Sequence, residues 1–416
     1  MADSARSNLT ADRRSYLLYG GCPEPTLYTH LEEPELTSKL NELAQWGTIG
    51  DTDYVTLQPC ANPEDTSQDR FVVQDWDLCG RVWRFRAVFD GHAGHETVDY
   101  AHEYLPPLLR ERLTVLVENK PKWESSDVSR VLERGISTFD DDIGRAFLNL
   151  FPDHAIKHLR DEEATSIVND PVNLDVALRC MRGTTALVSL VDPDATNLWV
   201  VSLGDCSAVL GIKGANGVWI TQTLSFDHNG LNEDEVKRIA SEHPGEEDCV
   251  AEGRVLGAIA VTRAIGDFQF KFSAPYIERG LLNVATGFRV MRRVQDYLPR
   301  VLTPPYVSNI PQASHVSLSA SLASEVILLM CSDGLTDLYN NLHDSRQAVK
   351  APGFWGGIME KAMTVKGESI GNESNAAMRI LRQGLGGDDL EAVSKALTTE
   401  FQGRWMDDTT VLIVRL

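Results

Sequence analysis

Trp83-Arg84-Phe85-Arg86-Ala87-Val88-Phe89-Asp90-Gly91-His92-Ala93-Gly94 is the stretch on which the reading of this chain turns. Trp83, Phe85, Ala87 and Phe89 fall on one face and Arg84 and Arg86 on the other, a period of two that predicts a half-buried strand. Asp90 then stands at the strand's end. Gly91 lets backbone approach closely, so its carbonyl and the Asp90 carboxylate can together face a hard cation, with His92 bordering the same pocket. Taken alone, Asp-Gly-His reads first as a polar turn between strand and helix; the rest of the chain shifts that reading.

The chain has 416 residues, enough for one large domain or two to three ordinary ones, and 43% of them are hydrophobic, ample for a core. Its 39 basic and 60 acidic residues give a formal charge of -21, which opposes binding to nucleic acid or to an anionic membrane and favours cations. No apolar run reaches the length of a membrane span, and Met1-Ala2-Asp3-Ser4 lacks the apolar core of a secretory signal, so a soluble intracellular protein is expected. Arg6, Arg13 and Arg14 hint at a mitochondrial transit segment, interrupted by Asp3 and Asp12. The cytoplasm is the first expectation and the mitochondrial matrix the alternative. Seven cysteines without a C-x-x-C pair predict reduced, mostly buried thiols.

Residues 1–45 read as a peripheral, partly mobile arm with a short helix from Glu35 to Trp46, and residues 46–416 as the main domain. After Gly94 a helix is expected until Pro106-Pro107 interrupts it, then a second from Val128 to Leu148. Residues 149–176 read as an irregular acidic surface insertion. Thr184–Val191, Leu198–Leu203 and Ser207–Ile212 predict a three-stranded antiparallel meander, and Asn232 an N-cap. A second insertion, 268–303, is basic against the overall charge: Lys271, Arg279, Arg289, Arg292, Arg293 and Arg300. It reads either as a solvated surface helix or as a flap whose Arg289, Arg292 and Arg293 face the substrate.

Three aspartates border apolar strands: Asp90 after one, Asp333 after Glu325–Cys331, and Asp407 before Thr409–Val414. Strand ends are commonly polar and solvated, yet antiparallel strands can bring such ends together. Gathered carboxylates repel unless a cation neutralises them, and an oxygen-only set selects Mg²⁺ or Mn²⁺. A two-metal site of that kind activates water and clamps a phosphoryl group.

Phe89–Gly94 (FDGHAG), Gly183–Ala186 (GTTA), Leu203–Asp205 (LGD), Asp227-His228-Asn229, Val261–Asp267 (VTRAIGD), Ser332–Leu335 (SDGL) and Asp407–Thr410 (DDTT), in this order, resemble the metal-dependent type 2C serine/threonine protein phosphatases. Asp227–Gly245, Gly253–Phe272 and Thr303–Tyr306 look closest to the pyruvate dehydrogenase phosphatase branch. The resemblance implies an α+β fold, a central sandwich of two antiparallel β-sheets flanked by helices on both sides. It implies hydrolysis of phosphoserine and phosphothreonine in proteins by a water bridging two Mg²⁺ or Mn²⁺ ions. Carried over by motif, Asp90 bridges the metals, Asp333 and Asp407 complete one, Gly91 lends its carbonyl to the other, and Asp205 with Asp333 matches a weaker third position. Asp69 belongs to the first acidic motif, and His92 matches the general acid. The implied partner is a phosphoprotein, a pyruvate dehydrogenase-type complex being one candidate. Two departures stand out: Gln68-Asp69 where the family commonly has Glu-Asp, and Glu64 where many members carry a phosphate-binding arginine. They motivate the alternative of a pseudophosphatase, the same fold serving as a binding or scaffolding module.

Overall fold

The computed structural model describes residues 12–16, 25–60, 62, 66–120, 122–151, 156–290, 292–318, 323–345, 347–364 and 374–416. The chain forms two compact units, one of Gln68–Asp333 with Val414–Leu416 and one of Met1–Ser67 with Gly334–Ile413.

The larger unit is built on a five-stranded antiparallel sheet ordered Gln312–Ser317, Asn197–Leu203, Ala186–Val191, Arg81–Phe89, Arg70–Leu78. The Arg81–Phe89 strand pairs on both sides, and it is buried on both faces from Phe85 onward rather than on one. Arg86, expected to face solvent, is 2% exposed; its guanidinium is satisfied by the carbonyls of Gln74 and Phe85 and the carboxylate of Asp75. Trp83, Trp123 and Trp199 pack with centroids 5.3–6.0 Å apart, anchoring the sheet to its helices.

The helix that follows the Asp-Gly-His stretch runs from Glu96 to Asn119, straight through Pro106 and Pro107. Each proline removes a backbone bond at a cost of about 3 kcal/mol. The helix nevertheless continues because Leu105, Leu109 and Leu113 are fully buried, and Leu109 fills the space left by Gly135 of the Ser125–Leu148 helix. Full burial of such side chains is worth roughly 1.5–3 kcal/mol apiece. Residues 149–176, expected to be irregular, carry the Asp161–Val168 helix and bury Phe151, Ile156, Ala164 and Val168.

The expected three-stranded meander is two strands. Ala186–Val191 and Asn197–Leu203 pair, but Ser207–Gly214 leaves that sheet and lies between Trp219–Thr223 and Ala323–Cys331. Gly204, at φ +111°, makes the corner. The Ala323–Cys331 strand packs against Arg81–Phe89, so two antiparallel layers meet in this unit, in keeping with the α+β sandwich.

In the smaller unit, Asp12–Tyr16 pairs with Thr26–His30 and Gln45–Ile49 with Thr52–Leu57. The segment read as an arm is tied there to the Leu390–Thr398 helix, by Thr29 N–H to Thr398 Oγ1 at 3.0 Å and the buried Tyr28 hydroxyl to Glu391 at 2.9 Å. Cys180, Cys206, Cys249 and Cys331 are buried free thiols, as expected.

Candidate metal centre

Asp90 is fixed by its backbone. Its N–H donates to Thr185 Oγ1 at 3.1 Å, and its carbonyl accepts from the Thr185 N–H at 2.9 Å and the Thr184 hydroxyl at 3.0 Å. Both threonines are buried, so the Gly-Thr-Thr-Ala stretch acts as a clamp that aims the carboxylate. The clamp belongs to a small antiparallel sheet in which Gly183–Thr184 lies between Gly91–His92 and Ile265–Gly266. A Cβ at Gly91 would stand 2.6 Å from the Gln68 carbonyl oxygen and 2.7 Å from Val98, which excludes any larger residue there.

Asp205 sits at the crossover after Gly204. The buried His228 holds that corner: Nδ1 accepts from the Gly204 N–H at 3.2 Å, the His228 N–H returns to the Gly204 carbonyl, and Nε2 donates to Gln312 Oε1 at 2.7 Å. One accepting and one donating nitrogen is the pattern of a neutral ring. Burial, then the positive charge of Arg263, lowers the pKa of His228 to about 4. Asp333 opens the Asp333–Leu342 helix directly after Ser332, whose buried hydroxyl donates to Asp69 Oδ2 at 2.7 Å.

Asp90, Asp205 and Asp333 each offer a carboxylate oxygen, and these oxygens lie within 4.8 Å of one another. Burial first, and the charge of Asp227 second, raises the Asp205 carboxyl to about 6, and Asp205 Oδ1 is buried without a hydrogen-bond partner. Converging carboxylates with an unsatisfied buried oxygen call for a positive charge, and an all-oxygen donor set fits Mg²⁺ or Mn²⁺. The three residues would hold such an ion.

Asp69 is buried beside Ser332. Gln68 turns its amide oxygen to the Gly94 N–H at 2.8 Å. Glu64 lies outside the described residues. Asp407 is in the smaller unit, where its carboxylate accepts from the Asp408 N–H at 2.9 Å. In that unit a Cβ on Gly334 would meet the Asp408 carbonyl oxygen at 2.1 Å, a steric reason for the Asp-Gly pair. Arg292 donates to the Gly257 carbonyl at 2.8 Å and Arg293 pairs with Asp296 at 3.0 Å; Arg289, Arg292 and Arg293 are all exposed. Lys271, in the same basic stretch, is instead buried against Asp140 at 2.8 Å.

His92 Nε2 lies 2.6 Å from Oδ2 of Asp267, whose side chain is 1% exposed. Reading the sequence for function assigned Asp267 no role. The available signal was Gly266-Asp267 itself, another Gly-Asp closing an apolar run.

The family described as protein phosphatase 2C matches residues 63–345. A protein phosphatase 2C homolog of Schizosaccharomyces pombe is 30% identical over 404 residues, covering 91% of this chain and 84% of that one. The mitochondrial pyruvate dehydrogenase (acetyl-transferring) phosphatase 2 of Homo sapiens is 30% identical over 61% of this chain, and phosphatase 1 of Saccharomyces cerevisiae 31% identical over 62%. The matches take in 51% and 42% of those two proteins, so the chain matches about half the length of each or less. Among solved structures, a Caenorhabditis elegans sex determining protein superposes with a TM-score of 0.50 at 19% identity, covering 89% of this chain and 65% of that one, a likeness of fold.

Proposed function

Because the chain belongs to the protein phosphatase 2C family, we propose that it hydrolyses phosphoserine and phosphothreonine monoesters in proteins, using two Mg²⁺ or Mn²⁺ ions. The observation that carries this reading is the convergence of Asp90, Asp205 and Asp333 on one point of the larger unit. Asp69 and the Gly91 carbonyl extend the proposed ligand set within that unit. Bound there, the ions supply the charge that activates water and offsets the phosphoryl oxygens. The Thr184-Thr185 clamp keeps Asp90 aimed, and His92 delivers a proton to the departing serine or threonine oxygen. Arg289, Arg292 and Arg293 attract an acidic phosphoprotein to a chain that would otherwise repel it.

The pyruvate dehydrogenase phosphatases among the relatives make a pyruvate dehydrogenase-type complex the first substrate to assay, and the mitochondrial matrix the compartment that goes with it. Among the described residues no helix is long and apolar enough to cross a membrane. The second reading, a pseudophosphatase that binds without turnover, draws on Gln68 standing where the family commonly has Glu.

Hydrolysis of an aryl phosphate with Mn²⁺, repeated with chelator and with Asp90→Asn and Asp333→Asn, separates the two. Chelator-sensitive turnover that both variants abolish while keeping the wild-type melting profile is expected. An inactive wild-type protein at millimolar Mn²⁺ favours the binding module, and near wild-type activity in either variant removes the site assignment.

A further inference from the structure

We propose that Asp267 is the positioning residue for His92, holding the Nε2 side of the ring so that Nδ1 is the nitrogen that delivers the proton. The inference rests on the reading of His92 as the general acid. Its starting point is the 2.6 Å contact between Nε2 and the buried Asp267 carboxylate, across 175 residues of sequence.

Everything around that carboxylate restricts it to one orientation. Oδ2 takes the imidazole, and Oδ1 accepts from the Gln269 amide at 3.1 Å. The Asp267 N–H donates to the Arg182 carbonyl at 2.8 Å, and the Gly266 N–H before it donates to the buried Asp140 at 2.7 Å. Asp140 is itself anchored by Lys271 at 2.8 Å. Asp267 also adopts φ +53°, a left-handed conformation that few non-glycine residues take and that surrounding structure must impose.

Gly183 supplies a separate, steric argument. A Cβ there would stand 2.0 Å from Asp267 Oδ2 and 2.1 Å from His92 Nε2, so the middle strand of the small sheet leaves room for the pair and for nothing else. The same strand continues into the threonines that clamp Asp90. The acid and the metal-facing carboxylate are thus held by one short run of backbone. His92 follows Asp90 and Gly91 directly, on the strand that pairs with Gly183–Thr184, so the ring is held two residues from a carboxylate of the cluster. With Nε2–H donated to Asp267, the second proton of the imidazolium is carried on Nδ1 and passes from there to the leaving oxygen, while the Asp267 carboxylate stabilises the charged ring that gives it up.

The test uses the full chain with Mn²⁺ and a series of aryl phosphates of graded leaving-group acidity, on wild type, His92→Ala, Asp267→Ala, Asp267→Asn and the double variant His92→Ala/Asp267→Ala. Nitrogen-15 NMR of the imidazoles in metal-free protein reports the tautomer independently of turnover. For Asp267→Ala we expect kcat on the least acidic leaving group to fall about 10- to 100-fold with KM unchanged, little loss on the most acidic one, and no further loss in the double variant beyond His92→Ala. Asp267→Asn suits the left-handed backbone and keeps the shape, so it should follow the same gradient in smaller measure, and it decides the matter if the alanine variant does not fold. The His92 signals should show protonated Nε2 in wild type and a mixed tautomer in Asp267→Ala. Graded losses in His92→Ala with equal losses across the series in the Asp267 variants, or an unchanged tautomer, overturn this proposal alone. A flat series in His92→Ala overturns the acid role of His92 and this proposal with it.

Discussion

The amide oxygen of Gln68 accepts a 2.8 Å hydrogen bond from the backbone N–H of Gly94, tying the segment that leads into Asp69 to the turn that follows His92. A glutamate in this position would keep that acceptor and add a negative charge one residue from Asp69. Gln68→Glu is therefore expected to lower the Mg²⁺ concentration for half-maximal activity by about 10-fold, the scale on which groups supporting a metal act. Gln68→Ala removes the acceptor and should raise the requirement instead. Titration of Mg²⁺ against aryl phosphate hydrolysis measures both, and identical metal dependence in wild type and Gln68→Glu would show that position 68 does not act on the metals.

The strand ending in Asp90 and the one ending before Asp333 were legible because alternation, apolar runs and Asp-Gly pairs are local signals. The N-cap at Asn232 was legible for the same reason, and its side chain does accept from the Asp234 N–H. What could not be read is set by partners far along the chain. Ser207–Gly214 looks like the third strand of a meander until Ala323–Cys331, more than a hundred residues later, offers it a longer ladder. The partnership of Asp267 with His92 and that of His228 with Gly204 are of the same kind. Pro106-Pro107 carried a local stop signal that the burial of Leu109 and Leu113 outweighs.

The basic stretch can be tested without disturbing the fold if Arg292 is left alone, because its guanidinium also supports the Gly257 carbonyl. Arg293 engages only the neighbouring Asp296 among the ion pairs described, and its side chain is 80% exposed. Arg289→Glu with Arg293→Glu should raise KM several-fold for an acidic phosphopeptide, leave KM for a small aryl phosphate unchanged, and lose its effect at high ionic strength, where exposed charges are screened. Equal responses from both substrates would remove these arginines from substrate binding.

Glu235 and Arg263 form a buried bidentate pair, at 2.6 Å and 3.0 Å, that Thr262 and Arg238 extend. These bonds, chiefly from Arg263, hold the Glu235 carboxyl well below the ordinary carboxylate range despite its burial. The pair secures the segment that runs on to Asp267. Glu235→Gln leaves Arg263 buried with a neutral partner, and removing one member of such a pair costs about 3–5 kcal/mol. Chemical denaturation at pH 7 should show a loss on that scale. A loss below about 1 kcal/mol would mean that water and acceptors such as the Ile310 carbonyl, which Arg263 already reaches, satisfy the guanidinium without the carboxylate.

His228 makes stability depend on pH in a direction that can be worked out. In the folded protein its pKa is lowered to about 4 by burial first, with Arg263 and Arg238 disfavouring the charged ring and Glu235 opposing them; unfolded, it returns to about 6.5. Between those values the unfolded chain binds the proton and the folded one does not. The contribution of the neutral ring is thus fully present above about pH 6.5 and lost as pH falls toward 4, at up to about 1.4 kcal/mol per pH unit. His228→Gln lacks a titrating group: it should be less stable than wild type at pH 7, where the bonds to Gly204 and Gln312 are imperfectly replaced, and the gap should narrow at pH 5. Denaturant unfolding of the metal-free protein at the two pH values measures the difference. A gap that stays constant or widens on acidification would show that folding does not lower the pKa of His228, and that the ring is not held neutral at the Gly204 corner.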